Sequence, residues 1–456
     1  MALHFQEGRA ALIREITENP YNLMPTYLSD YEDCLSLLLN ADKLDYEQRK
    51  DHLDERIERL SNGDKNSPWY RFCKAGIYLH WSMIHFRFGE QFKAATTFRK
   101  SYALMKENQK LFPDFEYNKM FFGLEEAFVE TIPDNYKWLA SIFGMKGNVK
   151  KGMVKLSDFI NTHTDKQPLR IEGVLFYVYL RFYLLSEQKQ VWDFINSSKF
   201  VTRDNLLYAY VKANIALNYR KCDVAIETLK EASADKDYNN FPFLNYVMGA
   251  SLLCKLDTQS IYYFNRFLKT YKGNMYEKDA WYKMALVYYL QQNMPQAEYC
   301  RRQIKKNGNA LFDVDRYAAR FAESSAWSPT KLLQAHLLID GGYYSRASAI
   351  LLSIPKSELS NPADRVEYYF RMGRLYDETE NSEKAIEFYE YTIRIGRDRP
   401  EHFAARSALQ LGMLYERSGN KTLAIEKYKE CLSMRDHDFQ NSLDQQAKSG
   451  INRLKK

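Results

Sequence analysis

Apolar residues recur along the chain with the spacing of amphipathic helices, and short polar turns separate the apolar stretches. Proline and glycine are scarce, with 12 Pro and 19 Gly among 456 residues, which favours long helices joined by short turns. A single hydrophobic core rarely grows to this length, so the chain is either several domains or an array of stacked units. The pattern predicts an all-α protein.

Two segments near the C-terminus repeat one residue pattern without gaps. Each carries a glycine, then a tyrosine, an alanine and a second tyrosine at matching offsets. These residues are Gly373, Tyr376, Ala385 and Tyr389 in the first segment and Gly412, Tyr415, Ala424 and Tyr428 in the second. The small residues let two antiparallel helices approach closely, and the aromatics fill the space between units. The pattern resembles that of tetratricopeptide (TPR) repeats, and this resemblance implies a right-handed TPR-like helical solenoid.

Weaker copies of the pattern extend the array toward the N-terminus. Each second helix is expected to carry a small residue at one fixed position. The residues at this position are Ala225, Ile261, Ala297, Ala347, Ala385 and Ala424. The intervals are 36, 36, 50, 38 and 39 residues, whereas TPR units repeat about every 34 residues. The longest interval predicts an added helix near residues 313–325. We therefore expect irregular helical repeats over residues 1–200 and a regular TPR array over residues 201–456.

Residues 123–156 carry a narrower signature. It consists of a glycine that starts a helix, an apolar-proline step, a hydrophobic helix, and a glycine-rich turn before a second glycine-containing helix. The matching residues are Gly123, Ile132, Pro133, Trp138, Leu139, Phe143, Gly144, Gly147, Gly152 and Met153. This segment resembles the eukaryotic inclusion-body-clearance and tetratricopeptide-39 family, and the chain is also similar to TPR proteins of Bacteroidota. The resemblance implies an adaptor without an active site, and it suggests weak contact with a membrane surface.

The charge pattern argues against a nucleic-acid partner. The net charge is +7, and basic residues are spread out except for Lys146, Lys150, Lys151 and Lys155, which we interpret as a solvated helix face. Six cysteines form no CxxC pair and have no histidines at zinc-ligand spacing, so we expect no metal and no cofactor. No apolar stretch is long enough to predict a transmembrane segment. The helical start suggests a cytoplasmic protein, or a periplasmic or envelope protein if a signal segment has been removed.

No phosphate-binding loop, metalloprotease motif, nucleophile elbow or kinase signature is present, so we expect a non-catalytic protein without catalytic residues. His80 and His85 are expected on different faces of one helix, and Glu125 and Glu126 on a charged face. Three functions stay open. They are a scaffold or adaptor that binds protein or peptide partners, a membrane-peripheral or lipid-associated adaptor, and an enzyme whose site the helices enclose.

TPR arrays bind partners on the concave face that the first helix of each pair lines. Positions 2, 5, 9 and 12 of each unit are expected to point to this groove. The candidate residues are Tyr210, Asn214, Tyr246, Tyr282, Tyr289, His336, Phe370 and Arg374. Aromatic residues and arginine dominate the set, as they do among interface anchors. Packing between repeats is an equally open interpretation of each position. Only Asn214 fits the clamp by which some TPR domains hold chaperone tails, so such a partner is not expected.

Overall fold

The structure is helical throughout the part of the chain that it describes. It is a computed structural model, and it describes residues 2–131, 147–164, 167, 169–185, 187–324 and 326–454. Within these ranges there is no β-strand, and helices follow one another with short connections. The predicted all-α, TPR-like fold is confirmed. None of the described helices is both long and apolar enough to span a membrane.

Contacts divide the chain into two compact units. Unit 1 comprises Met1–Val211, Asp235–Phe241 and Tyr271–Gly273, and unit 2 comprises Lys212–Ala234, Pro242–Thr270 and Asn274–Lys456. The helices of unit 1 are α1 (Phe5–Glu18), α2 (Met24–Asn40), α3 (Lys43–Arg49), α4 (His52–Ser61), α5 (Pro68–Arg87), α6 (Gln91–Leu111), α7 (Asn118–Thr131), α8 (Val149–Thr162), α9 (Arg170–Tyr179) and α10 (Gln188–Ile195). A π-helical turn, Leu180–Leu184, follows α9.

Helix pairs form most of unit 2. Its helices are the end of α11 (Leu206–Asn218), then α12 (Cys222–Ala232), α13 (Pro242–Cys254), α14 (Ser260–Thr270), α15 (Glu277–Leu290), α16 (Met294–Lys306), α17 (Asp313–Glu323), α18 (Thr330–Gly341), α19 (Tyr344–Leu352), α20 (Pro362–Glu378), α21 (Ser382–Gly396), α22 (Phe403–Arg417), α23 (Lys421–Ser433) and α24 (Gln440–Leu454). Short 3₁₀ turns occur at Tyr238–Asn240, in unit 1, and at Lys356–Leu359, in unit 2. Helix α17 lies in the interval for which the repeat spacing requires an added element.

The pairs share one turn geometry. In seven turns of the described chain, the residue that ends the first helix has a φ between 56° and 86°. The next backbone N–H donates to the carbonyl five residues earlier, at 2.8–2.9 Å, which is the bond of a Schellman cap. The left-handed residues are Gly89, Arg220, Leu256, Gln292, Gly342, Glu380 and Gly419. The cap closes the first helix and fixes the direction in which the second begins.

The glycines of the repeat pattern make room for the aromatic residue of the second helix. A Cβ on Gly412 would lie 2.5 Å from Cδ1 of Tyr428, and one on Gly373 would lie 2.7 Å from Cδ1 of Tyr389. Both tyrosines are fully buried. Overpacking at such a contact destabilises a core, so the pattern is explained by packing within each pair.

Part of the narrower signature is also explained by packing. A Cβ on Gly123 of α7 would lie 2.7 Å from the carbonyl oxygen of Gly152 on α8, so these helices cross with their backbones in contact. The signature residues Ile132, Pro133, Trp138, Leu139, Phe143 and Gly144, together with Lys146, lie outside the described residues. Glu125 is buried and accepts a hydrogen bond from Ser101 at 2.6 Å, so its predicted place on a charged face is wrong.

Candidate partner-binding face

The first helices of the pairs form a layer of their own in unit 2. Helix α13 contacts α15 and α18, α18 contacts α20, and α20 contacts α22. Each of these helices also packs against its own second helix. We call the surface of the first-helix layer that faces away from the second helices the inner face.

The eight predicted groove residues have unequal exposure. Tyr210 belongs to unit 1, and the other seven belong to unit 2. Five of the eight are partly accessible to solvent, namely Tyr210, Asn214, Tyr282, Tyr289 and His336. Phe370 is only 1% exposed and packs against Tyr389 and Phe403, so it is a core residue. The prediction of partner contact is wrong at Phe370, because a buried ring cannot reach a partner.

Tyr246 is also a packing residue. It is 8% exposed, and its ring lies 5.3 Å from the rings of Phe267 and Tyr276. Its hydroxyl donates to the carboxylate of Asp279, and burial raises its pKa well above the usual range. Because its ring is enclosed and its hydroxyl is bonded within the chain, Tyr246 cannot contact a partner. The predicted groove role of Tyr246 is therefore wrong.

The chain itself covers two of the predicted aromatics. The ring of Tyr282 meets Tyr317 and Phe321 of α17 edge-on, at 5.5 and 4.8 Å between ring centroids. Tyr289 stacks on Trp327 at 4.4 Å and donates to the carbonyl of Ser328 at 3.0 Å. Helix α17 and the residues after it therefore cover these two rings. They also pack against the second helix α16, where Lys305 pairs with Glu323 and Glu298 accepts a hydrogen bond from Trp327.

Helix α17 is held there by a helix cap. Asp315 is buried, and its carboxylate accepts backbone hydrogen bonds from Tyr276 at 2.8 Å and from Asp279 at 3.2 Å. These N–H groups begin α15 and have no partner within that helix. Burial raises the pKa of Asp315 to about 6, although both backbone bonds favour its charged form. The added helix is thus fixed to the start of the helix that it covers.

Charged side chains gather on the inner face beyond the covered part. The carboxylate of Glu378 accepts bonds from Arg220 at 2.9 Å, Arg374 at 3.1 Å and Tyr344 at 3.1 Å. Asp340 lies 3.0 Å from His336 and keeps 42% of its side chain exposed. Burial opposes the ionisation of Asp340, but His336 and the arginines of α20 outweigh it and hold its pKa well below the usual range.

One cation in this group forms no ion pair. Arg406 of α22 is half-buried, and no carboxylate of the described chain lies within ion-pairing distance of its guanidinium. Burial and the nearby charges of Arg374 and Arg220 lower its pKa to about 10, and the charge of Asp340 acts in the opposite direction. Burial and the charge of Arg406 also hold the pKa of His402 well below the usual range, so this histidine is neutral. We call the set Arg220, Asp340, Arg371, Arg374, Glu378 and Arg406 the inner-face cluster.

Aromatic rings continue the inner face from the covered part toward the cluster. Tyr317 stacks on Phe439 with 5.3 Å between centroids, and Phe439 meets the ring of His402 edge-on at 5.0 Å. His402 begins α22 one turn before Arg406. All of these rings are partly accessible. Accessible rings beside an arginine provide the residue types that dominate interface hot spots.

The sequence patterns missed Asp340, Arg406, Tyr317 and Phe439. A signal for Arg406 did exist, since it stands 39 residues after Glu367, the same interval that separates Gly373 from Gly412. Glu367 pairs with Arg371, whereas its counterpart in the next repeat is a cation. No comparable signal marks Tyr317 and Phe439, which lie outside the helix-pair pattern.

Unit 1 contains a charge network of a different kind. His80 is fully buried and lies 2.8 Å from Asp30 and 3.0 Å from Glu172, and these partners raise its pKa to about 9 against the effect of burial. Asp30 also accepts from Trp81 at 2.9 Å, and Glu172 from Tyr27 at 2.7 Å. With no access to solvent, the network serves the fold rather than a substrate.

One group in the described chain has the composition of a metal site. His4, Asp235 and Asp237 of unit 1 bring a ligand atom each within 4.8 Å of one another. His4 already lies 3.0 Å from the carboxylate of Asp237, and that hydrogen bond raises its pKa. These contacts attach the start of α1 to Asp237.

Comparison with known proteins supports the repeat assignment in unit 2. The tetratricopeptide repeat family model matches residues 366–391 and 405–438, which lie in α20–α21 and in α22–α23 with the residues just after it. TPR repeats are therefore present in this chain. Among curated proteins, none matches the sequence. The narrower resemblance of residues 123–156 stays a prediction.

Solved structures that match include one described as a TPR domain. The TPR domain of P58(IPK) is 14% identical, with 94% of this chain and 97% of that chain covered and a TM-score of 0.23. The APC/C hetero-tetramer Cut9-Hcn1 is 12% identical, with 100% and 94% covered and a TM-score of 0.27. At such identities and TM-scores the matches support no argument about function.

Proposed function

We propose that the protein is a scaffold that binds protein partners through the inner face of unit 2. The observation that supports this is a group of partly accessible polar side chains on α18, α20 and α22, namely His336, Asp340, Glu378 and Arg406. Tyr282 and Tyr289 of α15 are excluded, because α17 and the residues after it cover their rings.

A site-specific photocrosslinker tests the proposal. Benzoylphenylalanine replaces His336, which is half-buried on the inner face, in one variant. It replaces Arg302, which is exposed on the second helix α16, in the control. Irradiation in extracts of the native host is expected to join a distinct partner to the first variant and none of that partner to the control. Equal crosslinking at both positions, or none at His336, would contradict the proposal.

A further inference from the structure

Two carboxylates of unit 1 face one imidazole ring at the start of α1. Nδ1 of His4 lies 3.0 Å from Oδ2 of Asp237, and Nε2 of His4 lies 3.6 Å from Oδ2 of Asp235. One ligand atom from each of the three residues lies within 4.8 Å of the other two. His4 and Asp237 are 233 residues apart along the chain, so ligand spacing in the local sequence could not reveal this group.

Hydrogen bonds hold both carboxylates in place. Oδ1 of Asp235 accepts the backbone N–H of Asp237 at 2.9 Å, and Oδ1 of Asp237 accepts from the side-chain amide of Asn240 at 2.9 Å. These bonds use one oxygen of each carboxylate and leave the other oxygen, Oδ2, toward His4. Outer hydrogen bonds of this kind orient the ligands of metal sites.

The residues next to His4 are anchored as well. Leu3 is only 1% exposed, and the ring of Phe5 meets that of Phe241 edge-on, with 5.3 Å between centroids. The side chain of His4 itself is 24% exposed, and that of Asp235 is 17% exposed. The ring is therefore held from both sides along the chain, while an ion and water can still reach it.

The charges of the group do not balance among its own members. Asp235 and Asp237 carry two negative charges, and a protonated His4 supplies one positive charge. Lys236 acts on both carboxylates, but it pairs with Glu7, and these two charges neutralise each other. Asp237 is only 8% exposed, so water and salt screen its charge poorly. A divalent cation in place of the proton on His4 would balance both carboxylates.

The ligand types select a class of ion. Ligand atoms about 2.0–2.2 Å from a metal lie about 3.0–3.4 Å from their neighbours in octahedral or tetrahedral geometry, which the 3.0 Å between His4 and Asp237 already matches. A rotation of the Asp235 side chain would bring the third ligand to the same spacing. Imidazole nitrogen with carboxylate oxygen suits zinc and similar transition ions, whereas calcium and magnesium prefer oxygen ligands throughout.

We propose that His4, Asp235 and Asp237 bind a divalent transition-metal ion of the zinc class, and that water completes its coordination. The ion fixes the start of α1 to the turn that carries Asp235 and Asp237, so its role is structural. The spacing of the ligand atoms, the outer hydrogen bonds and the excess negative charge support this inference. It is independent of the proposed function, because all three ligands belong to unit 1 and the inner face belongs to unit 2.

Calorimetric titration with Zn²⁺ tests the inference on the whole chain without a histidine tag. The variants are His4→Gln, which keeps hydrogen-bonding capacity, and Asp237→Asn, which keeps the shape of the side chain. His336→Gln is the matched control, because His336 also faces an aspartate, Asp340, at 3.0 Å. Circular dichroism checks that each variant keeps its helices.

The expected result is saturable binding of a single Zn²⁺ ion by the wild-type protein and by His336→Gln. His4→Gln and Asp237→Asn should each weaken binding by about tenfold or more, and Asn240→Ala, which removes an outer hydrogen bond, by about tenfold. A tenfold excess of Mg²⁺ or Ca²⁺ should not displace Zn²⁺. Hydrogen exchange in α1 should slow several-fold when Zn²⁺ is added to the wild-type protein, and should not change in His4→Gln.

Four results would overturn the inference. The first is the absence of saturable Zn²⁺ binding, and the second is unchanged affinity in His4→Gln. The third is an equal loss in His336→Gln, which would show that any pair of histidine and aspartate suffices. The fourth is displacement by Mg²⁺ or Ca²⁺, or exchange in α1 that does not respond to Zn²⁺. None of these results bears on the proposed function, which the photocrosslinker on the inner face tests separately.

Discussion

The two units use charged residues in opposite ways. In unit 1, His80 lies between Asp30 and Glu172, and every member of this trio is at most 1% exposed. In unit 2, Asp340 and Arg406 remain partly accessible, and Arg406 forms no ion pair in the described chain, although the charge of Asp340 acts on it. The trio of the first network is closed to solvent, and Arg56 provides a further cation 2.9 Å from Asp30, whereas the second network is partly open. Residue type alone therefore does not distinguish a buried network of charges from an accessible one, but solvent exposure does.

The largest expected effect comes from breaking the closed network. His80→Ala leaves Glu172 buried without its cation and leaves Asp30 with Arg56 alone, 2.9 Å away, which should cost about 3–5 kcal/mol of unfolding free energy. Arg406→Gln should change the unfolding free energy by no more than about 0.5 kcal/mol, because its side chain is partly exposed and forms no ion pair in the described chain. Denaturant unfolding measures both, and hydrogen exchange should place the loss in α2, α5 and α9. Similar costs for the two variants would remove the distinction between the networks.

The network around His80 also predicts that the unfolding free energy depends on pH. The pKa of His80 is about 9 in the folded protein and about 6.5 when unfolded, so its stabilising effect is complete below pH 6.5 and is lost as pH rises toward 9. The expected loss of stability over this range is about 1–3 kcal/mol. Thermal unfolding at pH 6.0, 7.5 and 9.0 measures it, and His80→Gln should flatten the curve.

A second buried group contributes in the same direction and needs its own control. Burial raises the pKa of Glu125 to about 8, so its protonated form also stabilises the fold at low pH and this effect fades as pH rises through 8. Glu125→Gln removes that contribution and leaves the one from His80. If the double variant with His80→Gln keeps the full wild-type slope, neither group is its source.

Much of the fold was predictable from the sequence, because repeat packing depends on residues at fixed offsets. Gly373 and Gly412 mark the helix pairs, since only a small residue fits beside Tyr389 and Tyr428. The candidate site was less predictable. Tyr282 has the right position in its helix, but α17 folds back over it, and position within a repeat does not show where an added helix will pack.

The closed network could not be predicted for a different reason. Asp30, His80 and Glu172 lie far apart in sequence and on different helices, and no local pattern links them. The open cluster is also assembled from several helices, although the repeat interval from Glu367 does indicate Arg406. Repeats relate equivalent positions to one another, whereas the irregular helices of unit 1 offer no such relation.

A change in the packing of one repeat tests whether a loss of stability in unit 2 stays local. Gly412→Ala places a methyl group 2.5 Å from the ring of the fully buried Tyr428, which should cost about 1–3 kcal/mol. Because repeats contact mainly their neighbours, hydrogen exchange should increase in α22, α23 and α24 and not in unit 1. Gly8→Ala is the control, since no atom lies within 4 Å of its new Cβ. Exchange that also rises in α5 would contradict this local effect.

The smallest expected effect concerns the left-handed turn between paired helices, which occurs in both units. Gly89 provides it in unit 1 and Gly419 in unit 2, but Glu380 adopts a φ of 60° with a side chain that disfavours it. Glu380 is exposed, so Glu380→Gly should relieve this strain and raise the unfolding free energy by about 0.5–1 kcal/mol. Glu380→Ala removes the same charge but keeps a side chain that disfavours a positive φ. The unfolding free energy of this variant should therefore stay nearly unchanged. Equal gains in the two variants would attribute the effect to charge, and a loss in Glu380→Gly would mean that the glutamate side chain stabilises the turn.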